Sequence, residues 1–329
     1  MRTSTQNNEE SKCFCKNSER DKTMKEPRGQ ELIDRYKKNY HMSAEDDITE
    51  EMILKHWNLE KTLTSEILKS NSENRWEITD RCYTTLYREL WWLNKFTNSN
   101  NNISPSIKYK NIIEILGYPP KKIYEIGSGK AELITYLASC GFECKATEIT
   151  RERGGKYASE VPNLSWGISD GIHLNKFEKS GSYDVVISDQ VIEHLHPDDI
   201  IEHFKNVNSI LSSEGKYIFI TPHKHMGPAD ISRVFKCEKP FGMHLKEYTY
   251  KELKNSLEKA GFKDIYGVFH IPNTLTQLTG VYIKPKVSSI YLTYSCAVEQ
   301  LISLLPYKTR RKAMIFFFVP DIFMIAQKK

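Results

Sequence analysis

Apolar residues recur along this chain at two periods, and the change between them divides it. After Thr49, Leu59, Leu63 and Ile67 return every four residues, and Leu86, Leu90 and Leu93 keep the same helical spacing beyond a polar break at residues 70–74. Two amphipathic helices are predicted. The second also carries Tyr83, Tyr87, Trp91 and Trp92, more aromatic surface than one stripe needs, so it is expected to pack on the body that follows. Residues 98–105 read as a linker, and 111–116 as a short helix closed by Gly117 and the Pro119-Pro120 pair. From there on, short apolar runs alternate with helical stripes, as in βαβ units with a largely parallel sheet. Strands are expected over 122–126, 143–148, 164–168, 183–188, 216–221, 264–269 and 321–326. A helix from Pro197 puts Ile200, Phe204, Val207 and Leu211 on one face and exits through Ser213-Glu214-Gly215. Another begins at Thr249, paired with Glu252 as a capping box, and ends at Gly261.

Composition adds boundaries. Residues 1–30 hold only Met1, Cys13, Phe14, Cys15 and Met24 from the apolar set, too little to offset ordering entropy, and a disordered tail is expected over 1–40. A helical cap over 41–117 then precedes a main domain over 118–329, with a helical insertion at 272–320. With 329 residues, 39% apolar and 27% charged, the chain can bury a real core, which excludes a wholly disordered or collagen-like protein. The formal charge of +5 is mild and concentrated in Lys308, Arg310, Arg311, Lys312, Lys328 and Lys329, so nucleic acid is not an expected partner. A membrane surface or acidic substrate is the candidate partner of that basic segment, which abuts the apolar run 313–319. Pro320 and Asp321 stop the run far short of the roughly 20 residues a spanning helix needs. Seven scattered cysteines and no hydrophobic leader after Met1 suggest reduced thiols and a cytoplasmic protein.

The chemistry gathers at strand ends. Glu125-Ile126-Gly127-Ser128-Gly129 closes the first strand and opens directly into a helix, where glycines admit a ligand to the helix N-terminus. A dinucleotide fingerprint would place a third glycine at 132, which is Glu132, and Glu125 would repel a pyrophosphate but suit a cation. Glu148 ends the second strand, 19 residues after Gly129, where a carboxylate can accept ribose hydroxyls. Ser169-Asp170-Gly171 follows the third strand, where an Asp can accept the exocyclic amine of adenine; Asp-Gly is also an ordinary turn dipeptide. Asp189-Gln190-Val191-Ile192-Glu193-His194 follows the fourth.

This ordered series, over about half the chain, resembles the class I S-adenosylmethionine-dependent methyltransferases. The resemblance implies a Rossmann-like α/β fold with a seven-stranded, mostly parallel sheet of order 3-2-1-4-5-7-6, the last strand antiparallel, here capped by N-terminal helices. It implies S-adenosylmethionine as cofactor: Gly127, Ser128 and Gly129 around its amino-acid end, Glu148 on the ribose, Asp170 on adenine, and Asp189 or Gln190 beside the sulfonium. Ala131 stands where many members have a further glycine. Segments outside the core commonly cover the acceptor pocket in this superfamily, which nominates Trp57, Trp76, Trp91, Trp92, Tyr291, Tyr294 and Tyr307, although ordinary packing explains them too.

The expected reaction is O-methylation of a small-molecule, glycan or lipid-precursor hydroxyl, with an RNA 2′-O-methyltransferase or a non-catalytic cofactor-binding protein as alternatives. Glu193, His194 and the distant His244 are similar to the metal-binding Glu-x-x-Glu-His and remote His of ubiquinone-type O-methyltransferases and small-RNA 2′-O-methyltransferases. Gln190 replaces the first Glu, which weakens any site for a hard divalent cation. Without metal, a neutral His194 is the expected general base, oriented by a carboxylate; a purely structural Glu-His pair is the remaining reading.

Overall fold

The computed structural model describes residues 26–96, 104–150, 161–271, 278–317 and 320–329. Eight strands form one sheet: β1 (Lys122–Ile126), β2 (Glu143–Glu148), β3 (Leu164–Ile168), β4 (Tyr183–Asp189), β5 (Leu211–Pro222), β6 (Asp264–Phe269), β7 (Lys286–Ser288) and β8 (Asp321–Gln327). Their order is β3-β2-β1-β4-β5-β8-β6-β7. β1 to β5 are parallel, and β8 enters antiparallel between β5 and β6. The central strands are buried on both faces, hence their nearly continuous apolar runs, such as the five buried residues of β8.

The expected seven strands become eight because β7 pairs antiparallel with the outer edge of β6. It has three residues behind Pro285, too few for a period of two to register. The helices expected around it are present: α10 (Ser289–Ser303) and α11 (Tyr307–Phe317), numbered after the nine helices of the described residues named next. β5 also starts earlier than its apolar run. Tyr183 pairs with Leu211 and Val185 with Lys216, so the expected exit turn at 213–215 is a bulge inside the strand.

The cap is built from α1 (Gly29–Asn39), α2 (Glu50–Leu68), α3 (Arg75–Glu89) and α4 (Trp91–Phe96). The tail expected over 1–40 therefore ends early: α1 buries Leu32 and Tyr36, and the Tyr36 hydroxyl lies 2.7 Å from His56 Nδ1 and accepts Trp92 Nε1–H at 3.2 Å. Contacts from distant helices order it, which composition cannot reveal. Residues 1–25 and most of the expected linker lie outside the described residues. α5 (Pro105–Lys108) and α6 (Lys110–Leu116) follow, and α6 sets Ile112 and Leu116 into the sheet's core beside α7 (Glu132–Ser139), not into the cap. On the opposite face lie α8 (Ile200–Ile210) and α9 (Tyr250–Lys259), joined by α10. α8 starts at Ile200, three residues beyond the expected Pro197. Both bonds of the Thr249–Glu252 capping box are made.

The cap closes over the connection between β5 and α9. Ile231, Val234, Phe235 and Met243 share a core with Leu32, Ile53, Trp57 and Trp92, and the Arg35 guanidinium donates to the Arg233 and Val234 carbonyls, each at 2.7 Å. This docking sets the cap's α3 over the C-terminal ends of the parallel strands, where ligands bind in open α/β sheets.

Candidate active site

The loop from β1 into α7 turns through left-handed backbone at Gly127, Gly129 and Ala131, with φ of +67°, +58° and +56°. A Cβ at position 127 would lie 2.6 Å from a Val191 methyl, so both conformation and space demand glycine. Ser128 donates to the Thr147 carbonyl through both its amide and its hydroxyl, each at 2.9 Å. Glu148, at the end of β2, accepts Gly129 N–H at 2.6 Å and Ile149 N–H at 3.2 Å. At the end of β3, Asp170 Oδ1 accepts Ile172 and His173 N–H at 2.9 and 2.8 Å, and Oδ2 lies 2.6 Å from His173 Nδ1.

Glu125, Gly127, Ser128, Gly129, Glu148, Ser169, Asp170, Asp189, Gln190 and His194 all line one cavity of about 450 Å³, within the range usual for small-molecule sites. The cavity is acidic. Burial, with Asp189 and Glu148 nearby, pushes the Glu125 carboxyl up to about 8, and its Oε2 has no hydrogen-bond partner among the described residues. Burial, with Asp321 nearby, raises Asp189 to about 6. Arg75, in the same wall, is ion-paired with Asp199.

Opposite the strand ends, α3 contributes Arg75, Trp76, Thr79, Tyr83, Leu86 and Tyr87, and Met243 joins them. Of the aromatics expected in this wall only Trp76 is there; Trp57 stacks on Phe235 at 4.6 Å, Trp92 is buried within the cap and Trp91 is exposed. Tyr291, Tyr294 and Tyr307 do not line this cavity and sit on α10 and α11. The residues missed have a sequence signal: with Trp76, residues 75, 79, 83, 86 and 87 fall within about 120° of one helical wheel, mixing polar and aromatic side chains.

Residues 108–266 match the family model described as a methyltransferase domain. Just under half of the chain thus carries the sequence pattern of a methyltransferase domain. No curated protein matches it. Solved structures similar to it include a SAM dependent methyltransferase from Archaeoglobus fulgidus, 19% identical over 72% of this chain and 99% of that one, with a TM-score of 0.48. Another is a possible histamine N-methyltransferase from Thermotoga maritima, 15% identical over 77% and 100%, TM-score 0.45. A third is the Haemonchus contortus phosphoethanolamine N-methyltransferase 2 with phosphomonomethylethanolamine and S-adenosylhomocysteine, 15% identical over 78% and 59%, TM-score 0.45.

Within the matched region, Glu193, His194 and His244 come together: one ligand atom from each lies within 4.8 Å of the others, and the two imidazoles meet edge to face at 4.8 Å. His194 faces the cavity, while Glu193 is fully buried and His244 nearly so. His194 Nδ1 lies 2.9 Å from the Met243 carbonyl. A carbonyl only accepts, so Nδ1 carries the proton and a neutral ring keeps its lone pair on Nε2. Glu193 Oε2 accepts the Thr221 hydroxyl at 2.9 Å, and Oε1, 3.9 Å from His194 Nε2, has no hydrogen-bond partner among the described residues. Burial raises Glu193 to about 7, against the opposing pull of His244. Burial opposes charge on His244, but Glu247, Glu193 and Asp230 outweigh it and hold the imidazole up at about 9. Met243 is itself fixed by the helical cap: Glu60 Oε2 accepts Met243 N–H at 3.0 Å, and Glu60 Oε1 lies 2.7 Å from His56 Nε2.

Proposed function

We propose that the protein methylates a hydroxyl group of a small molecule, glycan or lipid precursor, with His194 as the base. The observation that carries this reading is the His194 Nδ1 bond to the Met243 carbonyl, which leaves the lone pair of a neutral ring on Nε2, 3.9 Å from the buried Glu193, in a residue that lines the cavity. Bound S-adenosylmethionine supplies a methyl group activated by its sulfonium. The residues present fit that ligand: a glycine loop with no room for a Cβ, and a buried Glu125 oxygen with no partner beneath it. Glu148 accepts the ribose hydroxyls, Asp170 borders the adenine, and Glu125 with Asp189 faces the cationic end. The acceptor lies against Trp76, Tyr83 and Tyr87, its hydroxyl proton passing to His194 Nε2, and Glu193 stabilises the resulting imidazolium. Alignment of nucleophile, methyl and leaving sulfur supplies much of the acceleration.

A second reading is favoured by the triangle of donors. Two imidazoles and one carboxylate fit a divalent ion, a zinc- or iron-like one better than one requiring only oxygen ligands. Glu193, His194 and His244 would hold it, and it would lower the acceptor hydroxyl's pKa. The likeness to ubiquinone-type O-methyltransferases rests on the same three residues, since Gln190 stands in place of the first Glu, its side chain bonded to Asp189 and Asp321.

Incubating a metabolite extract with methyl-labelled S-adenosylmethionine and reading labelled products by mass spectrometry identifies the acceptor. His194→Ala is then expected to lower turnover by roughly 10² to 10⁴ with S-adenosylhomocysteine affinity unchanged. A fully active variant defeats both readings. Activity lost to a chelator and restored by a divalent ion selects the metal. Tight S-adenosylhomocysteine binding with no labelled product supports a non-catalytic binding protein.

A further inference from the structure

Helix α10 buries one face, with its only charge, and leaves an uncharged apolar face exposed. Leu292, Ser295, Glu299 and Ile302 point into the domain, and the one charge of the helix is spent there: Glu299 accepts the Tyr250 and Lys251 amides at 2.9 and 2.8 Å and lies 3.2 Å from His223 Nε2. On the other side Ile290, Tyr294, Ala297, Leu301 and the capping Leu304 follow a spacing of four, three, four and three residues, a stripe about 80° wide and about 21 Å long. It is bare among the described residues: Ile290 and Leu304 are each 81% exposed, Leu301 69% and Tyr294 45%. An exposed leucine alone means nothing, but a solvated helix face ordinarily carries charge, and this one carries none.

The ends of the stripe are cationic. Lys286 and Lys284, the latter paired with Glu114 of α6 at 3.3 Å, precede it and Lys308, Arg310, Arg311 and Lys312 follow it, so residues 278–317 themselves hold six basic side chains and one acidic, Glu299. Lys286, Lys308 and Lys312 are exposed. A second copy of the chain covering the stripe by two-fold symmetry would press these cationic ends against each other. An anionic lipid surface satisfies both features, taking the aliphatic side chains below the headgroups and the lysines and arginines among them.

We propose that α10, with the basic residues at its two ends, is an interfacial helix that docks the protein flat on anionic membranes. The proposal does not depend on the methyl-transfer chemistry. It also moves the expected membrane contact: in the run 313–319, Met314 is fully buried, and the side chains that follow lie outside the described residues. Among the described residues of 289–317, the exposed apolar stripe is on the preceding helix.

Flotation with phosphatidylcholine vesicles, with and without phosphatidylserine, tests it. The full chain should float with phosphatidylserine vesicles at low salt and be released at high salt. Leu301→Glu with Leu304→Glu should lower the partitioning at least about tenfold, and Lys308→Glu with Lys312→Glu should weaken it with the same lipid dependence. The apolar targets are largely exposed, so melting temperatures should be unchanged; Ile290→Glu repeats the test if the double variant misfolds. Absence of flotation with phosphatidylserine at low salt overturns the proposal, as does full flotation of the folded Leu301→Glu/Leu304→Glu protein. A dimer in sedimentation velocity that the same substitutions disperse also overturns it, in favour of a second copy of the chain.

Discussion

Replacing Glu125 by Gln asks whether the cavity is built around a cation. Folding raises this carboxyl from 4.5 to about 8, through burial and then through Asp189 and Glu148. At pH 7 about nine-tenths of the free protein therefore holds a proton there. A bound ammonium or sulfonium favours the ionised carboxylate, so binding must expel that proton, at a cost of about 1.4 kcal/mol at pH 7. Titration calorimetry of S-adenosylmethionine in phosphate and in Tris, whose ionisation enthalpies differ, should show release of about 0.9 proton per site at pH 7. The logarithm of the affinity should climb with a slope of about +0.9 at pH 7 and flatten above about pH 8. In Glu125→Gln this release of about 0.9 proton should vanish, and the affinity at high pH should drop because the attraction is gone. Stability runs the other way. A raised carboxyl contributes fully below 4.5 and loses its contribution as pH rises through about 8, so the melting temperature of the free protein should fall over that window more steeply than that of Glu125→Gln. Wild-type binding without proton exchange, or proton release undiminished in Glu125→Gln, would refute the reasoning.

Three further substitutions test the rest of the site. Glu148→Ala removes a carboxylate whose proposed hydrogen bonds to ribose would be worth about 1.5–3 kcal/mol each, so calorimetry should show at least about a tenfold loss of S-adenosylhomocysteine affinity; an unchanged constant contradicts the ribose assignment. Gly127→Ala forces an L-residue to a φ of +67° with its Cβ 2.6 Å from Val191, and chemical denaturation should register a loss of about 1–3 kcal/mol together with weakened cofactor binding. Glu60→Ala strips His56 and the Met243 amide of their acceptor, which should cost about 1–3 kcal/mol and lower turnover through the displaced Met243 carbonyl; Glu60→Gln, which keeps one acceptor oxygen, should recover part of both, and wild-type turnover in Glu60→Ala would sever the cap from His194.

Local periodicity was enough to place β1, β2, β3 and β6 at the bounds observed, and the loop-and-carboxylate series at the ends of β1 to β4 named the residues that line the cavity. Such features are short-range: a strand alternates, a glycine permits a positive φ, and a strand's C-terminal residues fall at one sheet edge whatever else the chain does. The approach of Glu193, His194 and His244 was legible for the same reason, because two of the three sit on one loop and the third lies just ahead of a capped helix.

What opposes the sheet edge was decided only by tertiary structure. Leu86 and Leu90 marked the apolar face of α3, but which flank of that helix closes the cavity depends on how the cap docks, and docking runs through contacts such as Glu60 to Met243, 183 residues apart. α1 is ordered by Trp92 and His56, β7 by the free edge of β6, and the tautomer of His194 by the carbonyl that Glu60 helps to hold. The stripe of α10 shows the limit most directly. In sequence the charged Glu299 marks the opposite face as the solvated one, and only its packing against the domain shows that the uncharged stripe is what is left for a partner; periodicity identifies faces, whereas burial is a property of whatever the rest of the chain brings opposite them.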